Sequence, residues 1–442
     1  MFFDRQNKGI PPPEVKLLRL RQLKDSLRQK MAERLAVRSR TTDTILVDSG
    51  GPRAIIAAPD TPELSRLGDE LAAALHEVTG VRFPVLPGCL IDRGMWEANH
   101  VLVVGDMSVN RFASELYRRI RTFEDCYYPG PGGWVVRSVH DTWGSGTNCL
   151  IAAGSDDDGH QRAMRALVDK IASAWPEPVG FLLDPHPCAR ALDSIFELST
   201  LVPYPQYGYR YLLTGEAEAF EHFRQGCLTG EDQEIHWKFF SHLRQLMLMP
   251  VWDLVEESPL MADSDRERIV NHFLRCYRSH EGIQWYGFLN EPGSVIGNHG
   301  SAAALNLHFA AHYFSLRFQL EETSDWFAKT RRYLTSFWRI PRSGADMAYM
   351  EFTGSTADLM TYALQTGADD MFVSETLTKF AERAMLLCGN IGYAICEGEV
   401  GFDQKLNSRC PLPHHFFGRA AAITGCVQIS HLGWRSSESR GS

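Results

Sequence analysis

No run of about 18 apolar residues occurs anywhere in this 442-residue chain, so a membrane-spanning helix is not expected. Cysteine is sparse, ten residues with no Cys-x-x-Cys spacing, which favours reduced, mostly buried thiols over a disulfide framework or a zinc site. A basic excess is missing too. The 45 Lys and Arg against 54 Asp and Glu leave a net charge of −9, with no general drive toward nucleic acid or anionic lipid. Met1 leads into Phe-Phe-Asp-Arg without an apolar stretch behind it, so no secretory signal is expected and the chain reads as cytoplasmic as written. Gly154-Ser-Asp-Asp-Asp-Gly-His160 has neither the glycine spacing of a dinucleotide loop nor the Gly-Lys-Ser/Thr ending of a P-loop. Asp156 to Asp158 are expected to cap the following helix instead. What is present is ordinary globular material, 44% hydrophobic and 22% charged, enough for two or three domains.

The texture changes along the chain. Leu17, Leu20, Leu23, Leu27, Met31 and Leu35 recur at helical spacing, with Lys and Arg on the other face, and predict an amphipathic helix over 15–40 packed on a neighbouring domain or a partner. Residues 1–43 are assigned to this extension. From 44 to 178, short β-like runs alternate with helices: strands at 44–48, 54–58, 83–86, 100–104, 134–139 and 149–153, and helices at 64–79 and 160–174. That alternation predicts an α/β sandwich, parallel in part. Prolines at 176, 178, 185, 187, 203 and 205 mark 179–206 as a linker. Residues 207–425 read as helical hairpins, an all-α domain with helices at 217–227, 235–254, 263–278, 301–320, 323–337, 356–365 and 372–387. The tail 426–442 is polar and unpatterned. The fold class is therefore multidomain, α/β followed by all-α.

Several segments carry chemistry-bearing residues. Asn290 to Gly300 is a Pro/Gly-bounded turn that delivers Asn298 and His299 to the start of a helix, where free N–H groups and the positive helix end suit an anionic group. A plain N-cap with a neighbouring histidine explains the same pattern. His308 and His312, four apart, have a zinc-compatible spacing without a third ligand, and core or solvated histidines are preferred. Ser343 to Phe352 is a polar, aromatic loop between two helices. In it Tyr349 can act as acid or base, with Asp346 and Glu351 orienting it or binding a metal or a sugar hydroxyl. Glu397, Glu399 and Asp403 form an acidic loop able to take a hard cation, though a solvated loop is preferred. His414 and His415 offer a proton shuttle near neutral pH.

Leu71-Ala-Ala-Ala-Leu-His-Glu-Val-Thr-Gly, His100-Val-Leu-Val-Val-Gly-Asp and Cys149-Leu-Ile-Ala-Ala-Gly-Ser-Asp resemble the α/β domain that precedes the catalytic domain of α-glucuronidases and β-hexosaminidases. Gly297-Asn-His-Gly300, Asp346-Met-Ala-Tyr349 and Leu359-Met-Thr-Tyr-Ala-Leu364 are similar to the asparagine–histidine site, the tyrosine loop and the helix behind it in heparinase II/III-like polysaccharide lyases. That resemblance implies an (α/α) toroid and β-elimination on a uronic-acid polysaccharide, an acidic glycan being the partner. Asn298 takes the role of stabilising the aci-carboxylate, as an oxyanion hole does. Tyr349 moves the proton, with His299 or His414 as its partner. Asp346, Glu351, Arg342 and Trp285 are assigned to substrate binding. No cofactor is assigned with certainty, and a divalent metal is an open option.

Family members usually continue into a C-terminal β-sandwich and are exported. The ending from Cys426 does not look like that, so an incomplete toroid and an inactive, glycan-binding remnant are among the expectations. A hydrolase using two carboxylates such as Asp346 and Glu351 is the third reading.

Overall fold

The computed structural model describes residues 33–189, 191, 203–232, 247–278, 298–339 and 349–372. A six-stranded mixed sheet forms the first half. Its strands are β3 (Ala54–Ala58), β4 (Val85–Pro87), β5 (His100–Val104), β6 (Trp134–Val139), β7 (Cys149–Gly154) and β8 (Leu183–His186), in spatial order β4-β3-β5-β7-β6-β8. A two-stranded hairpin, β1 (Val47–Asp48) and β2 (Gly51–Pro52), precedes it. Strands β4, β3, β5 and β7 are parallel, and β6 runs antiparallel to both β7 and β8.

The central parallel strands β3, β5 and β7 are apolar at nearly every position, His100 at the head of β5 apart, because both their faces are covered. Ile56, Leu102, Val104, Leu150 and Ala152 face helices α1 (Pro62–Thr79) and α4 (Asp157–Ala174), which supply Leu64, Leu67, Leu71, Leu75, Leu167 and Ile171. The alternate residues Ile55, Ala57, Val101, Val103 and Ile151 pack on Trp96 of α2 (Arg93–Ala98) and on Phe112 and Leu116 of α3 (Arg111–Arg118). Helix α1 stops where expected, at Gly80, whose φ of +74° lets its N–H reach the His76 carbonyl. Asp156 caps α4 by accepting from Gly159 N.

Two expectations need correction. The stretch assigned as linker supplies the edge strand β8, because the side of β6 turned away from β7 still carries unpaired backbone groups, and 182–186 run antiparallel along it, with Ser138 N donating to the Leu182 carbonyl at 2.9 Å. Residues 33–43 carry no helix, against the expected helix to residue 40; 15–32 lie outside the described residues. The backbone of Leu35 instead bonds the Asn271 side chain in both directions, at 2.8 and 2.9 Å, so its polar groups are taken by the helical layer.

That layer comprises α5 (Pro203–Thr214), α6 (Ala217–Asp232), α7 (Leu248–Val255), α8 (Asp263–Arg278), α9 (Asn298–Phe318), α10 (Thr323–Arg339) and α11 (Tyr349–Thr366). Short connections make α5–α6 and α9–α10 hairpins. One core unites the layer with the sheet: Ile120, Phe123, Tyr128 and Val135 join Phe223, Trp252, Phe273, Phe314 and Leu334. The expected helix at 372–387, the segment 235–246 and the tail 426–442 lie outside the described residues.

Candidate active site

In open α/β sheets ligands commonly lodge beyond the carboxyl ends of the strands, where the crossovers diverge. Here that place lies between β3 and β5, and the protein fills it. Asn110 Nδ2 donates to the Ala57 and Val104 carbonyls at 2.9 and 2.8 Å, while its Oδ1 accepts from Phe112 N and caps α3. Asp60 accepts from Cys89 N and Arg111 N beside it. A Cβ at Gly88 would fall 2.1 Å from Asn110 Oδ1, so glycine is required there. The crevice is closed by the protein's own side chains.

Helix α9 is the centre of the helical layer. Residues 300–311 are buried on every side, and Ala302, Ala303, Ala304, Ala310 and Ala311 let α10 and α11 come close. Into this apolar setting α9 brings Ser301, Asn306 and His308. Ser301 Oγ donates to Asp358 Oδ2 of α11 at 2.7 Å. Tyr277 of α8 donates to Asn306 Oδ1 at 2.7 Å. The His308 ring stands edge-on to Tyr362 at 5.0 Å and to Phe327 at 5.6 Å. Asn306 Nδ2 and His308 Nδ1 have no hydrogen-bond partner among the described residues. Burial drives the His308 pKa down to about 4, so this imidazole is neutral at physiological pH. Burial pushes the Asp358 carboxyl up to about 7, against the smaller opposing effect of the Ser301 hydrogen bond.

The pairs Ser301–Asp358 and His308–Tyr362 advance in the same direction on both helices, so α9 and α11 run parallel. Their first turns therefore lie at the same end of the layer. Asn298 and His299 open α9, as expected, three and two residues before Ser301. Tyr349 and Glu351 open α11, and here the expectation of a loop is corrected: the helix begins seven residues earlier than the predicted 356, because residues 349–355 hold no proline to stop it. At 1.5 Å per residue, the Ser301–Asp358 and His308–Tyr362 pairs set the backbone level of Asn298 between residues 352 and 355 of α11, so that Tyr349 overhangs it by about 5–9 Å. The side chains of Asn298, His299, Tyr349 and Glu351 lie outside what is described, as do Trp285, Arg342, Asp346, His414, His415, Glu397, Glu399 and Asp403.

The opposite ends of these helices meet the α/β unit. Arg317 of α9 donates from Nε to Asp253 Oδ1 at 2.8 Å and reaches the Asp141 carboxylate and the His140 carbonyl of the β6–β7 loop. Arg121 bonds the other oxygen of Asp253. Burial opposes the Asp253 charge, but Arg121 and Arg317 more than cancel that effect and hold the carboxyl far below the usual range. Gln365 of α11 bonds the Arg118 carbonyl and accepts from Arg119 at its own. His312, half-buried, is pushed down to about 3 by burial and then by Arg121. His308 is an interior residue and His312 a half-buried one beside Arg121, and no group of three or more metal-ligating side chains occurs among the described residues.

Asp358 and Asp253 were not singled out in the sequence. The signal was available: each is a lone acid inside an apolar helical run, Ala357-Asp-Leu-Met and Val251-Trp-Asp-Leu. Searches against protein-family models, curated proteins and solved structures return no match. No described helix is long and apolar enough to cross a membrane.

Proposed function

We propose that this chain is a polysaccharide lyase-like protein that cleaves a uronic-acid polymer by β-elimination, its helices forming an (α/α) toroid behind an accessory α/β domain. One observation supports the reading most: the parallel packing of α9 on α11 brings the helix heads carrying Asn298 and Tyr349 to one end of the layer. The filled crevice of the α/β sheet agrees with an accessory role for that domain.

In this reaction the C5–H bond breaks, its electrons form the C4=C5 double bond, and the C4–O4 bond breaks with O4 taking up a proton. The C5 proton is weakly acidic because the neighbouring carboxylate already carries charge. A neutral amide at a positive helix end stabilises the extra charge that develops there. Asn298 serves that purpose, Tyr349 moves the proton, and His299 or His414 assists. Asp346, Glu351, Arg342 and Trp285 remain the proposed substrate contacts.

The test is incubation with a panel of uronate polysaccharides, read by the ultraviolet absorbance of unsaturated ends. Asn298→Ala should lower the rate about 10²–10³-fold, and Tyr349→Phe about 10²–10⁴-fold. Calorimetric binding of an acidic oligosaccharide without any unsaturated product rejects elimination and leaves a glycan-binding protein.

A further inference from the structure

We propose that Asp358, acting through Ser301, is the positioning residue that pins the axial register of α9 against α11 and thereby the spacing of the two helix heads. The inference deepens the elimination reading, and its structural half stands without it. The Asp358 carboxyl is 6% exposed, Ser301 is fully buried, and the 2.7 Å hydrogen bond between them is the carboxyl's sole side-chain bond among the described residues. No cation accompanies it there.

A position that served packing alone would be filled at lower cost by an apolar side chain, because an acid buried with a single hydroxyl loses most of its hydration. The surroundings explain what the polar pair adds. Gly300 and Ala302 to Ala304 give the first turns of α9 a nearly smooth surface, and helix packing sets register through ridges and grooves. A smooth face tolerates sliding, and one turn of slip displaces a helix end by about 5.4 Å. A buried hydrogen bond that is satisfied in one register is the device that removes this freedom. Its place is telling: Ser301 is the fourth residue of α9, within one turn of Asn298. The separation of Asn298 from Tyr349 is a separation between two helices, so it is only as definite as their register. Misplacement of reacting groups by 1 Å can cost about 10²-fold in rate.

Three variants test this: Asp358→Leu removes the acceptor, Ser301→Ala removes the donor with little change in volume, and Asp358→Asn keeps a neutral acceptor for Ser301. Amide hydrogen exchange on the full chain reads the pin without turnover. In Asp358→Leu and Ser301→Ala, amides of 298–305 and 349–357 should exchange about tenfold faster than in the wild type, with α5 and α6 unchanged. Asp358→Asn should restore protection. Where the wild type yields unsaturated ends, the same two variants should lose kcat about 10²-fold with little change in KM, and Asp358→Asn should recover it. Wild-type protection in both Asp358→Leu and Ser301→Ala, or an Asp358→Asn variant as loose as Asp358→Leu, overturns the proposal. A wild-type protein that makes no unsaturated ends rejects elimination alone, since exchange still decides the pin.

Discussion

Asp253→Ala should be among the most damaging single substitutions outside the hydrophobic core. Asp253 is 5% exposed and neutralises two guanidiniums, Arg121 from the α/β unit and Arg317 from α9, both buried. Truncation leaves Arg317 with Asp141 but strips Arg121 of its carboxylate. Breaking a buried ion pair by removing one partner typically costs about 3–5 kcal/mol, because the remaining charge stays desolvated. The exposed pair Arg66–Glu70 supplies the control: Glu70→Ala removes the same chemistry on a solvated helix face and should cost under about 1 kcal/mol. Urea unfolding at neutral pH measures both. A double variant, Asp253→Leu with Arg121→Met, should recover much of the loss by removing both charges. The pH dependence follows from the sign of the shift. The folded carboxyl titrates below its unfolded value of 3.8, so its contribution is complete above pH 4 and is lost as pH falls toward the folded pKa. The gap between wild type and Asp253→Ala should therefore stay constant from pH 8 to 5 and narrow below 4. A loss of less than about 1 kcal/mol at pH 7 would mean that Arg121 finds other solvation, and the reasoning would fail.

Asp358 shifts the other way: with a folded value near 7 against 3.8 unfolded, it lowers stability progressively from pH 4 to 7 and no further above that. Asp358→Asn should thus gain on the wild type by roughly 4 kcal/mol between pH 4 and 7, and a pH-independent difference in urea unfolding would contradict it. Asn110→Ala leaves two strand-end carbonyls and the first N–H groups of α3 unpaired, and should cost about 3 kcal/mol by the same assay, with an effect below 1 kcal/mol counting against the filled crevice. Arg38→Ala strips Glu257 of its guanidinium and leaves Glu256 only the longer Arg266 contact at 3.8 Å, each carboxylate being 1% exposed, and should cost about 3–5 kcal/mol at pH 7 with partial recovery as acid neutralises them; a stability profile parallel to the wild type would refute that.

The α/β half was readable to within a residue or two at β3, β5, β6 and β7, because strands buried on both faces are dominated by apolar, β-branched runs and are bounded by polar turns. The end of α1 was equally legible, since few residues other than glycine accept the left-handed geometry of its cap. Strand β8 escaped notice for a physical reason: Leu183-Asp-Pro-His pairs only along one edge, so its proline costs no ladder bond that pairing strongly demands. Helices α2 and α3 are too short for periodicity to separate them from loops. The first turn of α11 resembles a loop in sequence because Gly344, Gly354 and neighbouring polar residues weaken its helical signal, and tertiary contact with α9 outweighs propensity. Of the site, the start of α9 could be anticipated from sequence and that of α11 could not. The pairing of α9 with α11 could not, since nothing in either sequence states which helix it lies against.

That pairing changes what the α/β domain is for. Helix α9 spans 21 residues, about 30 Å from Asn298 at one end to the Arg317 turn at the other. Its far end is fixed by Asp253, Asp141 and the His140 carbonyl, and α11 is fixed beside it through Gln365 to Arg118 and Arg119. The strap 33–43 crosses the same junction: Arg38 grips Glu256 and Glu257, and Asn148 of the sheet holds the Thr41 and Asp43 carbonyls. Two parallel helices anchored at one end and pinned once near the other behave as a rigid frame, because a helix shortens or bends far less readily than its contacts slide. A domain whose own ligand crevice is filled can therefore still set the position of helix heads some 30 Å away, by holding the ends that face it. The Ser301–Asp358 bond and the Arg317–Asp253 pair are then two supports of one beam, and damage to either should loosen the same helix heads.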